Sequence, residues 1–287
     1  MNSPFNKIKS SRRNLLKGSA SLVFALGSGG LSILTIEQSI AQTLAEAPRA
    51  IGPENLDTWL SFDSAGRVTT YFGKMDMGQG VDTVIAQIVA EELDINVSRV
   101  SVVMGDTHRT PDQGGASGSS ACRQGAIPLR NAAAEARRVL VTRAADVLGV
   151  PVEQCQVEDG TVSVSGAKDR SITYMDLIAD GFDTDLDWNG NYGNSLNVSG
   201  QATPKTVDQY QVVGTGVARK DIPGKILATT EFCHHVSLPG MLHGRCIRPP
   251  VANAVPVSVD ENSIATWPDA RVFREGDFIA VVADTEW

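Results

Sequence analysis

Met77-Gly78-Gln79-Gly80 is a glycine-rich turn that runs directly into an amphipathic helix. A second run of small residues, Gly114-Gly115-Ala116-Ser117-Gly118-Ser119-Ser120, follows one strand–helix unit later and opens another helix. Loops of this kind at helix N-termini expose backbone N–H groups that have no intrahelical partner, and the positive ends of the helix dipoles add to them. That chemistry holds an anion, here the phosphate of a cofactor. The candidate contacts are Gly78, Gln79 and Gly80 in the first loop and Ser117, Gly118, Ser119 and Ser120 in the second. Either loop alone could be an ordinary turn, since serine is a common helix cap. The pair in one context points to a ligand.

Other reactive side chains carry less. His234 and His235 are adjacent, and residues adjacent on a strand face opposite ways, which argues against one metal site using both. His243 and Arg245 share a strand face and could line a cleft, and His108 sits in a loop after a strand. Cys122, Cys155, Cys233 and Cys246 show no C-x-x-C spacing, so neither zinc nor iron–sulfur ligation within the chain is expected, nor an essential disulfide. The Glu91-Glu92-Asp94 run reads as a solvated helix end, and Arg123, Arg130, Arg137 and Arg138 as a solvated helix face. No catalytic residue and no metal ligand is assigned.

The elements that must position the loops follow from periodicity. Thr58–Asp63 and Val68–Phe72 form a β-hairpin signal around Ser64-Ala65-Gly66. Val81, Val84, Ile85, Ile88 and Val89 recur at helical spacing, and Val100–Met104 is a β-branched strand. An Ala/Arg-rich helix spans about 123–148, then a hairpin pairs Cys155–Val157 with Val162–Val164, and a short helix covers Ile172–Ala179. Residues 181–209, rich in Asp, Asn, Gly and Ser, read as an inter-domain loop or insertion. A second domain follows from 210, with strands expected at Ile226–Thr230, Leu242–Ile247, Val255–Val259, Arg271–Phe273 and Phe278–Val282.

The chain has 287 residues, 42% of them hydrophobic, and a net charge of -8. An acidic chain lacks the basic stripe of a general nucleic-acid binder. Residues 1–47 read as a twin-arginine export signal. Arg12-Arg13 lies in a basic region, followed by a stretch from Gly18 to Ile36 that is uncharged and rich in Gly, Ala and Ser. The expected location is the periplasm, with attachment to the inner membrane left open.

Gly73-Lys74-Met75-Asp76-Met77-Gly78-Gln79-Gly80, Ala90-Glu91-Glu92-Leu93 and Thr110-Pro111-Asp112-Gln113-Gly114-Gly115-Ala116-Ser117-Gly118-Ser119 resemble the molybdopterin-binding subunits of the xanthine dehydrogenase/aldehyde oxidase family. Asp221-Ile222-Pro223-Gly224-Lys225 and Pro239-Gly240-Met241-Leu242-His243-Gly244-Arg245 resemble that family's a/b-hammerhead domain. The order of the two, with the export signal, is most similar to the isoquinoline 1-oxidoreductase beta-type branch. The resemblance implies an α+β fold: a molybdopterin-binding α/β segment over 48–180, then a hammerhead-like domain over 210–287 that looks truncated.

It also implies a molybdenum–molybdopterin cofactor in the cytosine dinucleotide form, touched by the seven residues above. The assembly would oxidise an aldehyde or N-heteroaromatic substrate with water-derived oxygen. The implied partners are a small iron–sulfur subunit, a cytochrome c, and a C-terminal molybdopterin-binding part or second polypeptide. The family's catalytic glutamate lies beyond the hammerhead, so the chain alone is expected to be inactive. The rival reading is a non-catalytic, cofactor-free exported binding or assembly protein, or a decayed fragment. A Rossmann dehydrogenase is disfavoured, because no G-x-G-x-x-G follows a first strand.

Overall fold

The computed structural model of the chain describes residues 52–178, 182 and 184–286, so the export-signal reading falls outside the described residues. Two compact units are present, one reaching Asp221 and the other starting at Ile222. In the first, β1 (Leu60–Phe62) pairs antiparallel with β2 (Val68–Phe72), placing Leu60 opposite Thr70. Strand β2 then pairs in parallel with β3 (Val100–Met104), Val68 opposite Val100 and Phe72 opposite Met104. Parallel neighbours require a crossover, and α1 (Val81–Leu93) supplies it.

Helix α1 buries Val81, Ile85, Val89 and Leu93, whereas Val84 of the expected stripe is exposed and Ile88 half-buried. It packs against α2 (Ala126–Leu148), whose Ala132, Ala133 and Ala136 have no exposed surface and let the helices approach closely. A π-helical turn, Ala121–Gly125, leads into α2, and Gly149 ends it in the left-handed conformation at φ 65°. Strands β4 (Cys155–Glu158), β5 (Thr161–Val164) and β6 (Ala167–Thr173) form an antiparallel meander. The sequence reading has no β6, because Lys168-Asp169-Arg170 is an exposed polar edge without apolar alternation. The short helix α3 (Tyr174–Leu177) is closed by a capping box between Thr173 and Asp176.

The segment read as an inter-domain loop packs on the first unit. Leu186, Leu196 and Val198 are buried, β7 (Asp187–Trp188) pairs with β8 (Val198–Ser199), and the Asn131 amide donates to Val198 O at 2.8 Å. Three well-placed aliphatics anchor a stretch whose composition reads as loop. Residues 205–221 then run back along α1 as a strap. The Gln87 amide donates to Val212 O and Thr215 O at 3.1 and 3.2 Å, and Lys220 N donates to Thr83 Oγ1 at 3.2 Å.

The acidic run at the end of α1 is not solvated. Glu91 is 2% exposed and Glu92 is fully buried. Glu92 continues the apolar stripe, falling one turn past Ile88 and Val89. The Glu91 carboxylate accepts from Gln211 N, Val212 N and Val213 N at 2.9, 2.6 and 2.8 Å, with Lys205 Nζ at 3.4 Å. Glu92 accepts from Arg130 Nε at 2.8 Å and pairs with Arg137 at 3.6 Å, and Arg138 pairs with Glu135 at 2.6 Å. Three of the four arginines read as a solvated face are therefore ion-paired, two of them to Glu92. Only Arg123 stays exposed.

The second unit contains α4 (Ile222–Ile226) and an antiparallel sheet of β9 (His243–Cys246), β11 (Phe278–Ala283) and β10 (Arg271–Glu275), with β11 central. Two expected strands are absent from it. Ile226–Thr230 ends α4 and turns at Ala228, whose φ is 55°. Val255–Val259 contains Pro256, which cannot donate to a ladder, and its Val257 is 99% exposed. Ala280 is the one buried hydrophobic residue described in this unit.

Burial alone would raise the Glu91 pKa, but the three backbone N–H groups and Lys205 outweigh it and hold the carboxyl below its ordinary 4.5. A depressed folded-state value means that the stabilisation is complete above pH 4.5 and fades as pH falls through the folded-state value. Glu91→Gln is expected to cost about 3 kcal/mol at neutral pH, as for breaking a buried ion pair. Thermal unfolding across pH 3 to 7 should show that difference shrinking on acidification. A pH-independent difference would overturn the assignment.

Candidate functional site

Because β2 and β3 are parallel, the loops that leave them, 73–80 and 105–120, emerge at the same edge of the sheet. In α/β arrangements the crevice beyond the carboxyl ends of the strands is where ligands bind. The roots of the two loops are in contact. A Cβ on Gly73 would lie 1.9 Å from Pro111 O, and one on Gly105 would lie 3.5 Å from Met75 Cβ.

Two buried polar side chains bind the roots together. Gln113, 1% exposed, accepts from Gly73 N through Oε1 at 2.8 Å and donates from Nε2 to Gly125 O at 2.7 Å. Lys74, also 1% exposed, donates from Nζ to Gly115 O at 2.9 Å and to Asn194 Oδ1 at 2.6 Å. Burial pushes its pKa down, opposed by the charge of Asp112. Gly193 N donates to Asp112 O at 2.9 Å, so residues 193–194 complete a third side. Sequence reasoning missed Lys74 and Gln113, because nothing in a lysine after Phe72-Gly73 signals that its ammonium is buried.

The first loop departs from expectation at the helix end. Asp76 accepts from Gly78 N through Oδ1 at 2.6 Å and from Val81 N through Oδ2 at 2.8 Å, so the chain's own carboxylate caps α1. Gln79 is exposed, and its Oε1 accepts from Met77 N at 2.8 Å. Arg219, from the strap, donates to Gly78 O at 3.0 Å while pairing with Asp221 at 2.6 Å. Gly80 is buried at φ 80°, and a Cβ there would lie 2.6 Å from Arg219 Nε.

In the second loop Ser117, Gly118 and Ser119 form a single exposed turn. Gly118 and Ser119 are both left-handed, at φ 61° and 58°. For serine that conformation costs on the order of 1 kcal/mol and is held by its surroundings. Ser120 faces inward, its hydroxyl donating to Gly115 O at 3.2 Å. The π-turn that follows is a feature frequent at functional sites. A Cβ on Gly78, Gly115 or Gly118 would meet nothing within 4 Å, so bare backbone faces open space at all three. The structure thus brings both loops to one edge, with Gly78, Gln79, Ser117, Gly118 and Ser119 exposed and Gly80 and Ser120 buried as supports.

In the second unit, His243 and Arg245 both line a cavity of about 460 Å³ with Trp267 and Val281, and Arg245 pairs with Glu286 at 3.0 Å. His108 lies in an exposed turn where its N–H donates to Asp106. Among the described residues no cluster of His, Cys, Asp and Glu could hold a metal ion, and no helix is long and apolar enough to cross a membrane.

Residues 26–222 match the molybdopterin cofactor-binding domain family. A nicotinate dehydrogenase subunit from Pseudomonas putida is 35% identical over 88% of this chain and 21% of its own length. The beta subunit of isoquinoline 1-oxidoreductase from Brevundimonas diminuta is 27% identical over 91% of this chain and 36% of its own. The CO dehydrogenase of Oligotropha carboxidovorans, a solved structure, is 22% identical over 49% of this chain and 18% of that one, with a TM-score of 0.41. The chain therefore spans between 21% and 36% of the length of these curated relatives.

Gly80→Ala combines left-handed strain with displacement of Arg219 and is expected to destabilise the first unit by about 1–2 kcal/mol. Urea denaturation would measure this, and an unchanged midpoint would show that the turn does not depend on the arginine.

Proposed function

The chain belongs to the molybdopterin cofactor-binding domain family, and from that premise we propose that loops 73–80 and 105–120 hold the anionic part of a molybdopterin cofactor in a multi-subunit oxidoreductase. The observation that carries this reading is the joint edge: two loops with bare glycine backbone at Gly78, Gly115 and Gly118, and exposed hydroxyls at Ser117 and Ser119, emerging side by side. Those residues fit the group. Backbone can approach a phosphate closely where no Cβ intervenes, and hydroxyls add orientation without adding charge. When bound, the cofactor would supply the two-electron redox chemistry, and the protein supplies binding and orientation. Gln79, fixed through its Oε1, and the Ser117–Ser119 turn are the proposed contacts, with Gly80 and Ser120 holding them in place.

The substrate class we assign is an N-heteroaromatic compound or an aldehyde, hydroxylated with oxygen from water. The names of the nicotinate and isoquinoline relatives support the former. The remaining parts of the proposal are the cytosine dinucleotide form of the cofactor, an iron–sulfur subunit and a cytochrome c as electron carriers, and twin-arginine export to the periplasm. It also includes a hammerhead-like identity for the unit from Ile222. No catalytic residue is assigned within the chain. The competing reading, a cofactor-free exported binding or assembly protein, draws on Asp76, whose carboxylate already occupies N–H groups at the start of α1.

Metal and pterin analysis of the chain, purified with the subunits that assemble with it, separates the two. Stoichiometric molybdenum and pterin nucleotide are expected, lost together in the Gln79→Ala/Ser119→Ala double variant. A folded complex containing neither would favour the cofactor-free protein.

A further inference from the structure

Lys74 is a buried cation that makes no ion pair among the described residues, the charge of Asp112 acting on it without direct contact. Its ammonium, with the side chain 1% exposed, bonds to two neutral acceptors, Gly115 O and Asn194 Oδ1. Asp112 is exposed, and its Oδ1 accepts from Gly114 N at 2.9 Å. Burying a charge without an ion-pair partner is costly. The lysine stem also requires Gly125, since a Cβ there would lie 2.9 Å from Lys74 Cδ and Cε and 3.0 Å from the Phe72 ring. The ammonium therefore has a made-to-measure slot directly beneath the second loop, on the carbonyl of Gly115 that Ser120 also holds.

Resting on the cofactor reading above, we infer that Lys74 is the positioning residue of this site and that its buried charge is completed by the anion bound on the two loops. Holding Gly115 O inward turns the backbone from Gly115 to Ser119 outward, and the charge below raises the potential where a phosphate group sits. In a poorly polarisable interior that field is screened less than it would be at the surface. A phosphate diester or pyrophosphate matches the site better than a carboxylate, because it spreads its charge over several acceptor oxygens.

The test is calorimetric titration of the full chain with inorganic pyrophosphate at low salt, beside thermal unfolding. Lys74→Met is expected to weaken binding by about tenfold, the scale of losing one poorly screened charge. Asn194→Asp supplies a directly paired counter-charge from within, so its thermal midpoint should rise while pyrophosphate binding weakens. A purely structural lysine would leave pyrophosphate binding unchanged in a folded Lys74→Met. If Lys74→Met does not fold, Asn194→Asp decides alone. Wild-type binding that survives in Asn194→Asp overturns the role of Lys74 and leaves the cofactor reading intact. A wild-type chain that ignores pyrophosphate while its assembled complex carries pterin also overturns it. A complex that carries no pterin removes both.

Discussion

Parallel pairing of β2 with β3 is the constraint from which the rest of the first unit follows. Two strands running the same way must release their loops at the same edge and must be joined by a crossover. The crossover is α1, so the helix that closes the topology also begins at one candidate loop. The second loop has to sit beside the first, and the backbone groups crowded there need partners. Gln113 and Lys74 meet that need from inside, leaving the glycine and serine tips free to face outward.

Helix α1 is tied at both ends by the same strap. At its C-terminal end, three successive backbone N–H groups surround Glu91, and Lys205 adds a charge. At its N-terminal end, Lys220 meets Thr83 and Arg219 meets the Gly78 carbonyl. The same segment thus contacts the carboxylate of Glu91 and the turn at Gly78, at opposite ends of one helix. The buried carboxylates and arginines between α1, α2 and the strap replace what would otherwise be an apolar seam, and they fix its register by direction as well as by contact.

Local patterns made much of this readable. The strand Val100–Met104, the hairpin before it, the start of α1 at Val81 and both loops follow from apolar spacing and glycine placement. Partnership was not readable in the same way. Glu91, Glu92, Arg130 and Arg137 are polar letters that read as solvent-facing until the residues from 202 to 213 are placed beside them. Only the position of Glu92 on the stripe of Ile85 and Val89 hinted otherwise. Lys74 is invisible for the same reason, since its partner Asn194 is 120 residues away. In the second unit β-branched residues suggested strands that Pro256 and the left-handed Ala228 prevent.

The nest around Glu91 also sets an order of events during synthesis. Its contacts join residues separated by as many as 122 positions, whereas α1 and the hairpin before it close over short spans. As the chain emerges N-terminal end first, Glu91 is made long before Val213 exists. Until then its carboxylate stays hydrated on a helix that can already pack its apolar stripe. Docking of the strap is thus a late step that removes water from a charge and replaces it with backbone. A nascent chain halted between α2 and the strap would hold the topology of the unit with the glycine turn still unclamped.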